Sequence, residues 1–406
     1  MKQSSGSDKR VLIVGLGVAG MAAAIRLHEA GWETVIVERS VARRSGGYFV
    51  LVYGAGVAAA ERLGIGDAVP TLQYEDQKTN EVLGSGRRMP GLGFEALARP
   101  PRMMLRGHVE TALFEALPAQ TQVRYSTTPT AIGQDEYGAT VTLRNTETGA
   151  ESTEAFDLVV GADGVRSTVR SLVFGPHQQF LRPTGYMTAA ALMREQVPGF
   201  LPHEGLAYTA PGRCAWTFPM VGESAPSIMF SYRTKNIDAE FRRSPAESLR
   251  RAFGRTSLGP VLGHMLHEYE RADTVLFDSA DEVVMPRWHN GRVVLLGDAA
   301  ACPTLFVGMG VSSALAGADL LGTMLEQHPT SLTRALFAWE ARLRPFVEEQ
   351  QSSLPLTQKL FLPPTLIDRV FRLLMFVPLP AIGSIADWNI KRSPIFSKKD
   401  LDISAA

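Results

Sequence analysis

A chain of 406 residues, 45% hydrophobic and 20% charged, has ordinary globular composition and length for two or three domains. Its 41 basic and 41 acidic residues cancel, which leaves no basic footprint for a nucleic acid. Cys214 and Cys302 are too few for a disulfide framework, so a reduced, cytoplasmic setting is expected.

The polar N-terminus gives way to an apolar run at 11–14, broken at once by Gly15, which reads as a buried strand and not as a signal-peptide core. Gly15, Gly17 and Gly20 follow at G-x-G-x-x-G spacing, then a helix over 21–30 and a second strand over 34–37 that ends in Glu38. This βαβ pattern suits a dinucleotide. Gly15 permits the tight turn, Gly17 lets backbone approach a pyrophosphate, and Gly20 packs helix on strand. The helix N-terminus offers free N–H groups to phosphate, and Glu38 suits the ribose hydroxyls. Arg39, Arg43 and Arg44 lie in the glycine-containing loop that follows, and Arg106 opens a helix running through Leu113 and Leu117.

A further buried strand at 158–161 leads into Ala162-Asp163-Gly164, where Asp163 could also serve as an N-cap; Arg166 and Arg170 flank a Ser-Thr pair. Between 174 and 284 the pattern changes. Runs at 186–193, 206–210, 214–220 and 227–233 read as strands, and 245–253 and 260–269 as helices. Most aromatic residues there are expected in the core. His264 and His267 have no third partner for a metal.

A strand at 293–296 precedes Gly297-Asp298. Gly308-Met309-Gly310 then opens an apolar helix over 311–325, whose N-terminus would favour negative charge nearby. A charged helix over 331–351 follows, then a proline-bounded apolar helix over 367–377 with Lys391, Arg392, Lys398 and Lys399 beyond it. That helix is shorter than the ~18 residues of a membrane span. It is expected to pack on the protein, with peripheral membrane contact the less favoured alternative.

Three segments, VLIVGLGVAG at 11–20, DLVVGADGVRSTVR at 157–170 and RVVLLGDAAACPTLFVGMG at 292–310, together resemble the single-component FAD-dependent aromatic hydroxylases, nearest in motif to their polyketide-modifying members. The resemblance implies an α/β fold: a discontinuous Rossmann-like FAD-binding domain at 1–174 and 285–352, an inserted, largely antiparallel substrate domain at 175–284, and a helical segment at 353–406. It implies FAD as cofactor. Gly15, Gly17, Gly20, Glu38 and Arg39 would hold it from the first motif, Arg44 and Arg106 from the segments between, and Asp163 and Arg166 from the second. Gly297, Asp298, Gly308, Met309 and Gly310 would do so from the third. Arg213, Trp216 and Tyr232 are the substrate candidates. No metal and no catalytic acid or base is expected.

The implied reaction uses NADH or NADPH and O2 to hydroxylate or epoxidise an aromatic or polycyclic small molecule through a flavin C4a-hydroperoxide. A flavin-dependent reductase, a halogenase-like enzyme and a catalytically idle flavin-binding protein remain alternatives. Trp216-Thr217-Phe218-Pro219 is only a fragment of the halogenase signature. The chain departs from the family pattern at Ala301, usually histidine, and at Leu305, commonly proline beside the reacting edge of the flavin.

Overall fold

The computed structural model describes residues 9–43, 46–91, 93–97, 99–223, 225–254, 259–375, 399 and 401–405. Arg44 and the basic residues Lys391, Arg392 and Lys398 lie outside the described residues.

A six-stranded sheet brings together strands that are far apart in the chain. Its order is His289–Asn290, Val293–Leu295, Leu158–Gly161, Lys9–Val14, Trp32–Val37 and Gln122–Arg124. Every pairing is parallel except the edge strand His289–Asn290. Central strands of a parallel sheet are covered on both faces, which explains the unbroken apolar runs at 11–14, 158–161 and 293–295, all buried. Register then does the functional work. Val14 lies opposite Gly161, and Gly161 opposite Leu295. The three glycine-containing motifs therefore leave the sheet side by side at the carboxyl ends of adjacent strands, where ligands of open α/β sheets bind.

The helix Val18–Glu29 packs against the helix Gly310–Gln327. Small residues allow the close approach: alanines and Gly20 line the first helix, and Ala314, Ala316 and Ala318 the second. Asp319, fully buried, accepts from Arg26 of the first helix and Arg62 of the helix Gly54–Arg62, tying three helices at one carboxylate.

A second, seven-stranded sheet runs in the order Val275–Ser279, Tyr186–Leu192, Ser227–Arg233, Arg213–Phe218, Glu204–Ala210, Lys78–Val82 and Arg88–Pro90. The strands read from the sequence between 186 and 233 form with nearly the expected bounds. The strands at 78–90, which the sequence reading did not identify, join this sheet through a parallel pairing of Lys78–Val82 with Glu204–Ala210. A pairing across so much intervening chain leaves no local trace in either strand. One face of the second sheet packs on the helices Pro245–Phe253 and Gly259–Arg271 in a core of its own. The long helix Leu332–Ser352, then Leu354–Phe361 and Leu366–Met375, complete the described C-terminal part.

Candidate cofactor and substrate site

Two adjoining cavities lie at the carboxyl edge of the six-stranded sheet. They share Gly17, Arg106, Ala162 and Gly164 and so form one elongated cleft. The smaller, of about 250 Å³, runs past Glu38; the larger, of about 330 Å³, runs beneath the second sheet.

The first motif is built for close approach. Gly15 has φ +110°, and a Cβ there would stand 2.5 Å from the Ala162 carbonyl oxygen. A Cβ on Gly20 would stand 1.9 Å from the Gly15 oxygen, whereas one on Gly17 would meet nothing within 4 Å. Gly15 and Gly20 are thus required by packing, and Gly17 faces open space where a ligand can reach backbone. Gly17 is the N-cap of the Val18–Glu29 helix; no side chain caps that end and no acid occupies its first turn, which leaves the terminal amides for an anion. Glu38 accepts from the amides of Leu16 (3.0 Å) and Ser40 (2.9 Å), which fixes its carboxylate on the wall of the smaller cavity with lone pairs to spare for hydroxyl donors. Arg39, exposed, stands at the rim of the same cavity.

The second motif is divided between structure and surface. Asp163 accepts from the Ser167 hydroxyl (2.5 Å) and the amides of Thr168 (2.6 Å) and Val169 (3.1 Å), so both its oxygens serve the start of the helix Thr168–Val173. Burial raises its carboxyl above the ordinary value, and these bonds oppose the shift. The N-cap itself is Ser167, whose hydroxyl accepts from the Arg170 amide (2.9 Å); Asp163 supports that turn and also lines the smaller cavity. Arg166 lines it too, and makes a two-pronged ion pair with Asp278 (2.9 and 2.6 Å) on the second sheet. Arg170 is fully buried and donates to the Ala299 carbonyl, which braces the second motif on the third.

Gly297, at φ +61°, turns tightly against the first helix, where a Cβ would come 2.9 Å from Ala19. It is a packing residue and is not part of the cavity wall. Asp298 lines the larger cavity; burial raises its carboxyl, with the Arg106 guanidinium acting the other way. Arg106 itself lines both cavities and is steered by Glu110 (3.0 Å) and the Tyr48 hydroxyl (2.8 Å). Gly308 (φ +71°) and Gly310 lie on the wall ahead of the helix Gly310–Gln327. The Met309 side chain points into the core with no exposure, so only its backbone can contribute to the site.

Thr304 precedes these glycines at φ +66° and ψ 162°, a region that costs a non-glycine residue of order 1–3 kcal/mol. Its hydroxyl is buried without a hydrogen-bond partner and the residue lines the larger cavity, beside Leu305.

The roof of the larger cavity is aromatic. Phe218 stacks with Phe49 (centroids 3.5 Å) and Trp216 (6.0 Å), and Phe361 packs on Phe94 (5.4 Å) and Trp216 (5.4 Å). All five line the cavity. Of the three substrate candidates, Trp216 alone belongs here. Arg213 is turned away and donates to the Ala252 carbonyl (2.6 Å), securing the end of the Pro245–Phe253 helix. Tyr232 faces the second core and donates to Glu240 (3.0 Å). Both are corrections with one cause: alternate residues of a strand face opposite sides of the sheet, and those two face the helices. Phe49, Phe94, Phe361 and Lys399 are site residues that the sequence reading missed, since each reaches the cavity from an element with no motif of its own. Among the described residues no cluster of metal-ligating side chains occurs, and no helix is long and apolar enough to cross a membrane.

Residues 8–334 match the family described as FAD binding domain. The chain is 26% identical to a flavin-dependent monooxygenase of Legionella longbeachae over 84% of this chain and 87% of that one. It is 24% identical to the FAD-dependent monooxygenase asL4 of Sarocladium schorii over 95% and 96%. Among solved structures, the tetracycline destructase Tet(51) superposes with a TM-score of 0.73 at 23% identity, covering 95% of this chain and 98% of that one. HpxO of Klebsiella pneumoniae, complexed with FAD and uric acid, does so with 0.69 at 18%, covering 97% and 96%. Glycines positioned for a dinucleotide, two adjoining cavities at the carboxyl edge of the sheet and a family match over most of the chain agree: this protein belongs to the FAD binding domain family and is a flavoprotein of the class A flavin-dependent monooxygenases.

Proposed function

We propose that the chain uses NADH or NADPH and O2 to hydroxylate or epoxidise a flat aromatic or polycyclic small molecule. The observation that carries this reading is the aromatic roof of Phe49, Phe94, Trp216, Phe218 and Phe361 above the 303–310 loop, in one cavity with Asp298 and the N-terminus of the Gly310–Gln327 helix. Stacked aromatic walls favour a ring-shaped ligand by about 0.5–1.5 kcal/mol per ring pair beyond area burial. Tetracycline in the name of one structural neighbour and uric acid bound to another support a ring compound of this breadth.

The geometry supports a division of labour. The Gly17 end of the first helix would take the pyrophosphate, Glu38 the ribose hydroxyls, and Arg106, Arg166 and Asp298 the span between the two cavities. The backbone at 308–310 would take the ring system. Bound FAD supplies the two-electron and oxygen chemistry; the protein orients the substrate and excludes water. No side chain is assigned as acid or base. The substrate domain at 175–284 lies between the FAD-binding parts 1–174 and 285–352, and its sheet also takes in the strands at 78–90 from within the first of those parts.

The test is to follow NADH and NADPH oxidation and peroxide release by the purified protein across phenolic and polycyclic compounds. One compound that speeds oxidation without matching peroxide supports the reading. A yellow protein that oxidises neither nicotinamide with any compound overturns it.

A further inference from the structure

Lys399 stands far in sequence from every cofactor motif, yet its side chain is inside the larger cavity. It is 1% exposed and lines the wall with Val307, Gly308 and Gly310. Its ammonium donates to the Val307 carbonyl (2.6 Å) and lies 4.6 Å from the centroid of the Tyr53 ring. Both neighbours abut the start of the Gly310–Gln327 helix. Val307 runs directly into Gly308, the Tyr53 amide donates to the Ser312 hydroxyl (3.0 Å), and a Cβ on Gly308 would stand 3.9 Å from the Tyr53 ring. Lys399 is therefore placed at the amino end of that helix from two independent directions.

The segment that carries it is held by specific bonds. Asp402 receives both prongs of Arg62 (2.9 and 2.8 Å), and Arg62 also reaches the buried Asp319 inside the Gly310–Gln327 helix. Arg342 donates to the Ala405 carbonyl, and Ile403 joins the main core. These contacts tie the 401–405 segment to the helices Gly54–Arg62 and Leu332–Ser352, and the first of these is itself tied to the Gly310–Gln327 helix through Asp319.

The amino end of a helix carries roughly half an elementary positive charge, and the Lys399 ammonium lies at the same corner of a largely apolar cavity. Two positive groups converging in a poorly hydrated space favour a ligand that becomes negative there. FAD gains negative charge on its ring system when reduced, whereas the oxidised ring is neutral. We infer that Lys399, delivered by the C-terminal segment, is a positioning residue that raises the reduction potential of the bound FAD by stabilising its reduced form over its oxidised form. This rests on the cofactor reading above.

The test uses the full chain loaded with FAD and needs no substrate. The potential is measured by equilibration with a reference dye, and FAD affinity by titration of the apoprotein, for the wild type, Lys399→Met, Lys399→Arg and Asp402→Asn. In Lys399→Met the ratio of reduced to oxidised FAD at a fixed poise is expected to fall at least tenfold, ~30 mV for a two-electron couple. Lys399→Arg, which keeps the charge, should stay close to wild type. Asp402→Asn, which loosens the segment and leaves the lysine chemically intact, should move in the same direction as Lys399→Met and serves if that variant fails to fold. Wild-type potentials in Lys399→Met, or in Asp402→Asn when it stands in, overturn the inference while leaving the cofactor reading in place. A wild-type chain that takes up no FAD overturns both.

Discussion

Gly17 and Gly20 look alike in the sequence, and the structure assigns them opposite tolerances. A methyl group on Gly20 would overlap the Gly15 carbonyl, so Gly20→Ala must displace the first helix from the sheet. A methyl on Gly17 has free space in the protein and projects where backbone must meet a ligand. Gly17→Ala is therefore expected to fold with near wild-type resistance to urea and to lose FAD affinity by about tenfold or more, ~1.4 kcal/mol. Gly20→Ala is expected to lose stability as well, by an overpacking cost of about 1–3 kcal/mol or more. Urea titration with FAD binding on the same samples separates the two; equal stability losses would contradict the assignment. The same scale explains why Arg213 and Tyr232 lie off the cavity wall. Residue type suggested a role, but the side of the sheet decided it.

At the scale of elements, the C-terminal helix Leu366–Met375 is joined to the second sheet by one buried polar knot. Arg372, 1% exposed, pairs with Glu81 and donates to the Leu360 carbonyl (2.7 Å), while Thr209 donates to the other Glu81 oxygen. Its guanidinium also lies 5.7 Å from the Trp216 ring that roofs the cavity. Removing one partner leaves a buried charge, so Arg372→Met should cost about 3–5 kcal/mol. The double variant Arg372→Met with Glu81→Gln should recover a substantial part of that loss, because no uncompensated charge remains. A double-mutant cycle by urea denaturation measures the coupling; strict additivity would show that the pair is not a unit. Arg372 is packed at that knot, while Leu366, Ile367 and Val370 of the same helix are exposed, so these apolar residues are not what joins it to the sheet. Nothing near Arg372 announces a partner at Glu81, because that pairing exists only once the strand Lys78–Val82 has joined the second sheet.

At the scale of the whole molecule, both thiols are internal. Burial pushes the Cys214 thiol up to about 12, and burial together with the Asp298 carboxylate raises Cys302 well above its ordinary value. A thiol with a raised value is protonated at neutral and mildly alkaline pH, and reactivity follows the thiolate. The folded protein should therefore resist iodoacetamide at pH 8, and both cysteines should label together on unfolding. Rapid labelling of either in the native state would show that the cavity opens without global unfolding.

The sequence by itself determined the cofactor half of this protein. The glycine spacing, the acid at the end of the second strand and the Gly-Asp turn are short-range requirements of a chain that must bend sharply and bring backbone to phosphate. Such requirements are written in adjacent residues. Tertiary structure alone decided the rest. Strand register set the three motifs side by side, a parallel pairing moved the strands at 78–90 into the second sheet, and the cavity roof was assembled from Phe49, Phe94, Trp216, Phe218 and Phe361. It also decided that Lys399 enters the cavity. Contacts between distant segments depend on which surfaces meet after folding, and residues that only have to be apolar, aromatic or charged at one point in space carry no spacing that a sequence can reveal.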